Sequence, residues 1–207
     1  MKQEKVSKIS KISTCLVLPI YMRKLHNYLL EHMIVTIEGY LVQDKLERAL
    51  REIVGANSWH GREVRLPVGR RRWDISYELD GQVTVVEFDG DEHYRNTLKI
   101  KADEEKDNIA TEHGYRVIRI PYWIQLTTET LRHYFDLEAT IHQDFPHGFI
   151  TTKVFPASYC ELGLSRFERE LNSLPSFVRN AVIHSLRERA AEHGNVYVVP
   201  SRLQNVL

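Results

Sequence analysis

An α/β fold is predicted for this chain: a mixed sheet flanked by helices in the order α-β-β-β-α-β, with a mostly helical part behind it. Three observations predict it. Residues 43–55, "QDKLERALREIVG", put Leu46, Ala49, Leu50, Ile53 and Val54 on one helical face and end on Gly55. Two alternating runs, "WDISYEL" (73–79) and "QVTVVEF" (82–88), flank Asp80-Gly81, the strongest short-range hairpin signal. The second of these strands is followed by a helical stretch, "ADEEKDNIATEHG" (102–114), and an apolar strand, "YRVIRIP" (115–121). Strand, helix and strand with short links imply a parallel pair joined by a right-handed crossover.

The remaining elements follow in order. The first 24 residues carry six Lys/Arg against one Glu, and their apolar run "CLVLPIYM" is broken by Pro19. That run is far below the roughly 20 residues of a spanning helix, and no small-residue cleavage site follows it. Residues 1–42 are therefore expected to be a loosely ordered basic leader and N-terminal extension. "REVRLPV" (62–68) alternates as a strand does and leads into the basic turn "GRRR". Residues 127–138 read as helical. "FPHGFITTKVFPASYCELG" is irregular around Pro146 and Pro156, and Ser165 with Glu168 then has the spacing of a capping box. In "SFVRNAVIHSLRERAAEHG" (176–194), Val178, Ala181, Val182, Ser185 and Leu186 form one stripe. The expected division is thus an extension (1–42), a core (43–140) and a helical C-terminal subdomain (141–207).

Composition bounds the function. In 207 residues Lys+Arg and Asp+Glu balance at 28 each, so any polyanion site must be a local patch. Cys15 and Cys160 lie far apart and form no metal-ligand spacing, the usage of a reduced intracellular, cytoplasmic protein. His133, His142 and His147 lack ligand spacing, so no zinc site is expected. There is no P-loop and no G-x-G-x-x-G, and Ser165 is not in a G-x-S-x-G elbow. No membrane partner is expected.

The informative stretch is "VVEFDGDEHY" (85–94), where four carboxylates and a histidine follow a strand. A two-residue turn at Asp80-Gly81 opposes 79 with 82, 77 with 84, 75 with 86, and Asp74 with Glu87. Such partners have Cβ atoms roughly 4.5–5.5 Å apart. Alternation puts Asp89 on the same face as Glu87, so Asp74, Glu87 and Asp89 are expected to converge. Ile75, Tyr77, Leu79, Val86 and Phe88 on the other face are expected to be core. Opposed carboxylates repel, and a hard divalent cation, which takes a few carboxylates and waters, removes the conflict. The alternative is a solvated acidic edge.

An Asp on one strand, Glu-x-Asp ending the next and a helix after it resemble the PD-(D/E)XK nuclease superfamily. "VEFDGDEHY" and "DEEKDNIATEHGYRVIRIP" are similar to its very-short-patch-repair-like branch, which includes homing endonucleases with an EDxHD-type site. The resemblance spans about residues 43–126 and implies a restriction-endonuclease-like fold and a Mg²⁺-dependent (or Mn²⁺-dependent) endonuclease acting on DNA, in its double-stranded form. It implies Asp74, Glu87 and Asp89 as metal ligands and His93 as the catalytic histidine. Asp103 would be the acid opening the following helix, Glu47 the early glutamate, and Lys106 the basic residue of that helix. Asp89 stands where many members have a lysine, so Lys99, Lys101, Lys106 or His93 is left to supply charge or move the proton. Asp89 and His93 are expected in an exposed turn outside the core. A nuclease fold that binds without cutting, or a hydrolase of another phosphate ester, are the rival readings.

A second signal is "GREVRLPVGRRRWD", in which Arg62, Arg65, Arg70, Arg71 and Arg72 precede Asp74 with Glu63 the one acid among them. Guanidinium groups beside a metal face suit phosphate-backbone contacts, which position a duplex without reading its sequence. The alternative is a solvated turn. Arg95, Lys99 and Lys101 are candidates to extend that rim. Trp59, Trp73 and Trp123 are expected in the core or at its edge.

Overall fold

The computed structural model describes residues 33–146, 148–149 and 154–204, so the basic leader through residue 32 and His147 lie outside the described residues. The elements in order are β1 (Ile34–Ile37), α1 (Gln43–Val54), β2 (Trp59–Arg65), β3 (Arg72–Leu79), β4 (Gln82–Asp89), α2 (Glu92–Arg95), α3 (Thr97–Glu112), β5 (Arg116–Pro121), α4 (Thr128–Phe135), β6 (Thr140–Gln143), α5 (Glu161–Ser173), α6 (Ser176–His193) and α7 (Asn195–Val198). Short 3-10 turns lie at Pro156–Ser158 and Ser201–Leu203.

The hairpin sets everything near the site. Asp80 and Gly81 both take positive φ, 51° and 79°, the mirror-image turn whose twist matches that of its strands. It pairs β3 with β4 in the expected register, Ile75 opposite Val86 and Leu79 opposite Gln82. The sheet order is β2-β3-β4-β5, antiparallel except for the parallel pair β4–β5, with α3 as the crossover. The chain is therefore α/β, with a mixed sheet flanked by helices and a helical C-terminal part.

Alternation along β4 separates two apolar clusters. Val86 joins Ile75, Tyr77 and the α1 residues Leu46, Leu50 and Ile53 in the main core. That core continues without a break through Trp123, Phe149 and Phe167 to Val178, Val182 and Leu186 of α6. Leu79 and Phe88 pack against it half-buried. On the other face Val85, Trp73, Leu66 and Ala110 of α3 form a smaller cluster. Trp73 and Trp123 are buried and Trp59 sits at the edge.

Five elements differ from expectation. The strand expected at 62–68 lies at 59–65, because Pro67 has no N–H to continue a ladder and a bulge between Trp59 and Gly61 lets pairing begin earlier. The helix expected from residue 102 starts at Thr97, since the Asn96 side chain caps it by accepting from the amides of Leu98 and Lys99. Asp103 therefore does not open this helix; it is buried in its second turn. Ser165 and Glu168 form no capping box, as α5 already begins at Glu161 and Glu168 pairs with Arg202. Finally, β1 and β6, each four residues long, pair in parallel as a separate two-stranded sheet. Four residues are too few for alternation to stand out in a sequence.

A Cβ at Gly81 would meet nothing within 4 Å, so the residue is required for its backbone conformation alone. Gly81→Val should lower unfolding free energy by about 1–2 kcal/mol in chemical denaturation, without a change in slope.

Candidate functional site

The β3–β4 ladder gives way to side chains at its open end. The Phe88 amide donates to Asp74 Oδ2 at 2.8 Å, and the Asp74 amide donates to Glu87 Oε1 at 3.2 Å. The two acids thus meet across the strands as the register requires. Lys106 reaches in from α3, donating to Glu87 Oε1 and to the Arg72 carbonyl, both at 2.6 Å, with its ammonium 4.0 Å from the centre of the Trp73 ring. Of the three candidate lysines it is Lys106 that lies against an acid of this pair; Lys99 stands 4.0 Å from Asp103.

Burial lifts the Asp74 carboxyl above its ordinary value; the Phe88 hydrogen bond and Lys106 counter this in part, while Asp89 and Glu63 add to it. Glu87 is also lifted by burial, against the charge and hydrogen bond of Lys106 and with Asp74 adding to the rise. Both groups are strained as anions.

Asp89 sits differently from expectation. It is fully buried rather than in an exposed turn, and both oxygens are taken: Oδ1 by Arg119 at 2.8 Å and Oδ2 by Arg166 of α5. Asp89 is near enough to raise the Asp74 carboxyl, but among the described residues no three His, Cys, Asp or Glu side chains are grouped to hold a metal ion. Asp74 and Glu87 fit a hard cation, as oxygen donors whose ionised form needs a positive neighbour. Asp89 does not, because two guanidinium groups already neutralise it.

Asp89 faces the histidine instead. His93 Nδ1 lies 2.5 Å from Asp103 Oδ2 and 3.2 Å from Asp89 Oδ1, leaving Nε2 without a partner among the described residues. The His93 side chain is only 12% exposed, so it too is largely buried and not in the exposed turn expected, because Asp89 and Asp103 draw its ring inward. Burial raises the Asp103 carboxyl, but the His93 hydrogen bond and the charges of Arg119, His93 and Lys99 outweigh it and hold the group below its ordinary value. This carboxylate stays ionised and fixes which imidazole nitrogen carries the proton.

Arg119 and Arg166 were not among the residues singled out from sequence. Arg119 donates from Nε and a terminal nitrogen to Asp107, both at 2.7 Å, and from the other to Asp89. Its signal was a charge inside the apolar strand "RVIRIP", where Ile118 and Ile120 are buried on the opposite face. Arg166 carried no signal, being one of several charges on an amphipathic helix. Glu47 pairs with Arg62 at 3.4 Å.

Of the arginine cluster, Arg62 is paired with Asp44 and Glu47, Arg71 with Glu105, and Arg72 with Glu63. Arg65 and Arg70 are exposed and have no ion-pair partner among the described residues. Arg95 is paired with Asp91 and Glu92, while Lys101 is exposed. No helix among the described residues is long and apolar enough to cross a membrane.

A carboxyl lifted in the folded state costs stability when ionised, and that cost vanishes as pH falls through its folded value to the unfolded one. Asp74→Asn keeps an acceptor for the Phe88 amide. It should raise the Tm of the metal-free protein at pH 7, with the gain gone by about pH 4, near the ordinary aspartate value; a gain that persists in acid would contradict the origin assigned to it.

Set against models of known protein families, curated proteins and solved structures, the chain matches none.

Proposed function

We propose that this chain is a metal-dependent endonuclease that hydrolyses DNA phosphodiester bonds on a restriction-endonuclease-like core. The observation that carries the reading is one arrangement: two strained carboxylates paired across strands, a lysine bound to one of them, and an acid-held histidine on the next turn. Asp74 and Glu87 are the residues that would hold Mg²⁺ or Mn²⁺. Bound there, the ion would supply charge neutralisation for the phosphorane-like transition state and polarise water.

The chain's own groups have distinct tasks in this reading. Lys106 limits repulsion between the two acids and adds positive charge beside the phosphate. His93, with Nδ1 directed at Asp103, uses Nε2 to take a proton from the attacking water or give one to the leaving oxygen. Asp89 and Asp103 keep that ring in one orientation, as the acid partner of a catalytic histidine does. Arg65 and Arg70 are the guanidinium groups with charge to spare for a phosphate backbone, since their neighbours are engaged with acids.

Supercoiled plasmid incubated with the protein should be nicked and linearised in Mg²⁺ or Mn²⁺ and left intact in EDTA. Glu87→Gln, Lys106→Met and His93→Asn should each slow cleavage by about 100-fold or more. Wild-type protein that leaves plasmid intact in both ions, yet hydrolyses a small phosphodiester, would shift the assignment to a non-polymeric phosphate ester. DNA bound tightly but never cut would leave a binding module.

The salt dependence of binding tests the arginines. Arg65→Ala with Arg70→Ala should flatten the slope of log K against log salt by about two units and weaken unrelated sequences equally. Arg62→Ala, which removes a group already paired, should change the slope little.

A further inference from the structure

We propose that Arg166 is a positioning residue for His93, which makes the C-terminal helix α5 part of the site. The catalytic half of this inference rests on the nuclease reading; the structural half does not.

Helix α2, which carries His93, is one turn long. Its own bonds are local: His93 to Gly90 at 3.2 Å, Tyr94 to Asp91 at 2.9 Å, Arg95 to Asp91 at 3.1 Å and Asn96 to Glu92 at 3.1 Å, each from amide to carbonyl. A single turn is not stable by itself in water, so the place of the imidazole must be set from outside.

Helix α5 does this at close range. The Cys160 amide donates to the Tyr94 carbonyl at 3.1 Å. Gly163 lies so near that a Cβ there would stand 1.8 Å from the Tyr94 oxygen. Arg166 then uses its whole guanidinium. One terminal nitrogen donates to the His93 carbonyl at 3.3 Å, the other to Asp89 Oδ2, and Nε to Glu170 Oε1 at 2.7 Å. The group lies 4.8 Å from the centre of the Tyr94 ring, and the Tyr94 hydroxyl donates to Glu170 Oε2 at 2.6 Å.

The consequence concerns Asp89. Arg119 holds its Oδ1 and Arg166 its Oδ2, which fixes the carboxylate with Oδ1 3.2 Å from His93 Nδ1. An apolar residue at 166 would close the same helix contact without a buried charge. What it could not do is hold the histidine's own carbonyl and Asp89, the second carboxylate beside its ring, at once, which is the geometric control a proton-transferring group requires.

The test uses the full chain and three variants: Arg166→Met, Arg166→Lys and Gly163→Ala. Amide hydrogen exchange at residues 93–96 should quicken about tenfold or more in Arg166→Met and Gly163→Ala, as local opening becomes easier. Amides of residues 84–87 should keep their wild-type protection. In steady-state plasmid cleavage Arg166→Met should lower kcat about 100-fold with KM within about threefold, and Arg166→Lys should recover part of the loss. Should Arg166→Met fail to fold, Arg166→Lys and Gly163→Ala carry both measurements. If wild type cuts nothing, the nuclease reading falls, and exchange at 93–96 still decides whether α5 holds the turn. Unchanged exchange there in folded variants, or a loss of cleavage carried by KM, would overturn the proposal.

Discussion

Asp89 ends strand β4 as a carboxylate with no contact to water, and its neutralisation ties the molecule together. Two guanidinium groups reach it, Arg119 from the neighbouring strand and Arg166 from a helix of the C-terminal part. Arg166 is buried and Arg119 nearly so, and each is held by a further acid, Glu170 and Asp107 respectively. Burying charge is unfavourable unless every member is paired, and losing one partner from such a set is typically worth about 3–5 kcal/mol. The hairpin, the crossover strand and helix α5 therefore cannot separate without exposing an uncompensated ion.

That constraint divides the acids into two kinds. Asp89 and Asp103 are satisfied anions: arginines neutralise the first, and His93 with nearby cations holds the second below its ordinary value. Asp74 and Glu87 are strained anions, lifted by burial, with Lys106 as partial relief. A satisfied acid is suited to orienting a histidine, because its ion pairs hold it in place. A strained pair is suited to a divalent cation, because binding removes the strain. Four carboxylates on neighbouring elements acquire separate tasks from their surroundings alone.

The helix that supplies this chemistry explains its own sequence. Helix α3 buries Ile100 and Ala110, and with them Asp103; Lys106 is nearly buried and reaches Glu87. It is not a clean amphipathic helix, since part of the face it turns to the sheet is charged. Its polar positions are matched one by one by Glu87, His93 and Arg119. Arg65, at the end of β2, and Arg70, on the β2–β3 connection, have no ion-pair partner among the described residues.

What was legible in the sequence was local. Asp80-Gly81 dictates a two-residue turn, the turn dictates the register, and the register puts Asp74 across from Glu87. Alternation then separates Ile75, Tyr77 and Val86 from the acids, and the strand–helix–strand order makes β5 parallel to β4. Each step depends on backbone sterics or a two-residue period, which act within a few residues. What the tertiary structure decided was every partner that arrives from far along the chain. Asp89 looked like a third metal acid because nothing within ten residues reveals Arg119 or Arg166, and the facing of Lys106 depends on how α3 packs. Strands β1 and β6 were invisible because four residues carry too little pattern and their partners lie about a hundred positions apart. Electrostatic pairing across such separations follows from docking, and docking is a property of the folded chain.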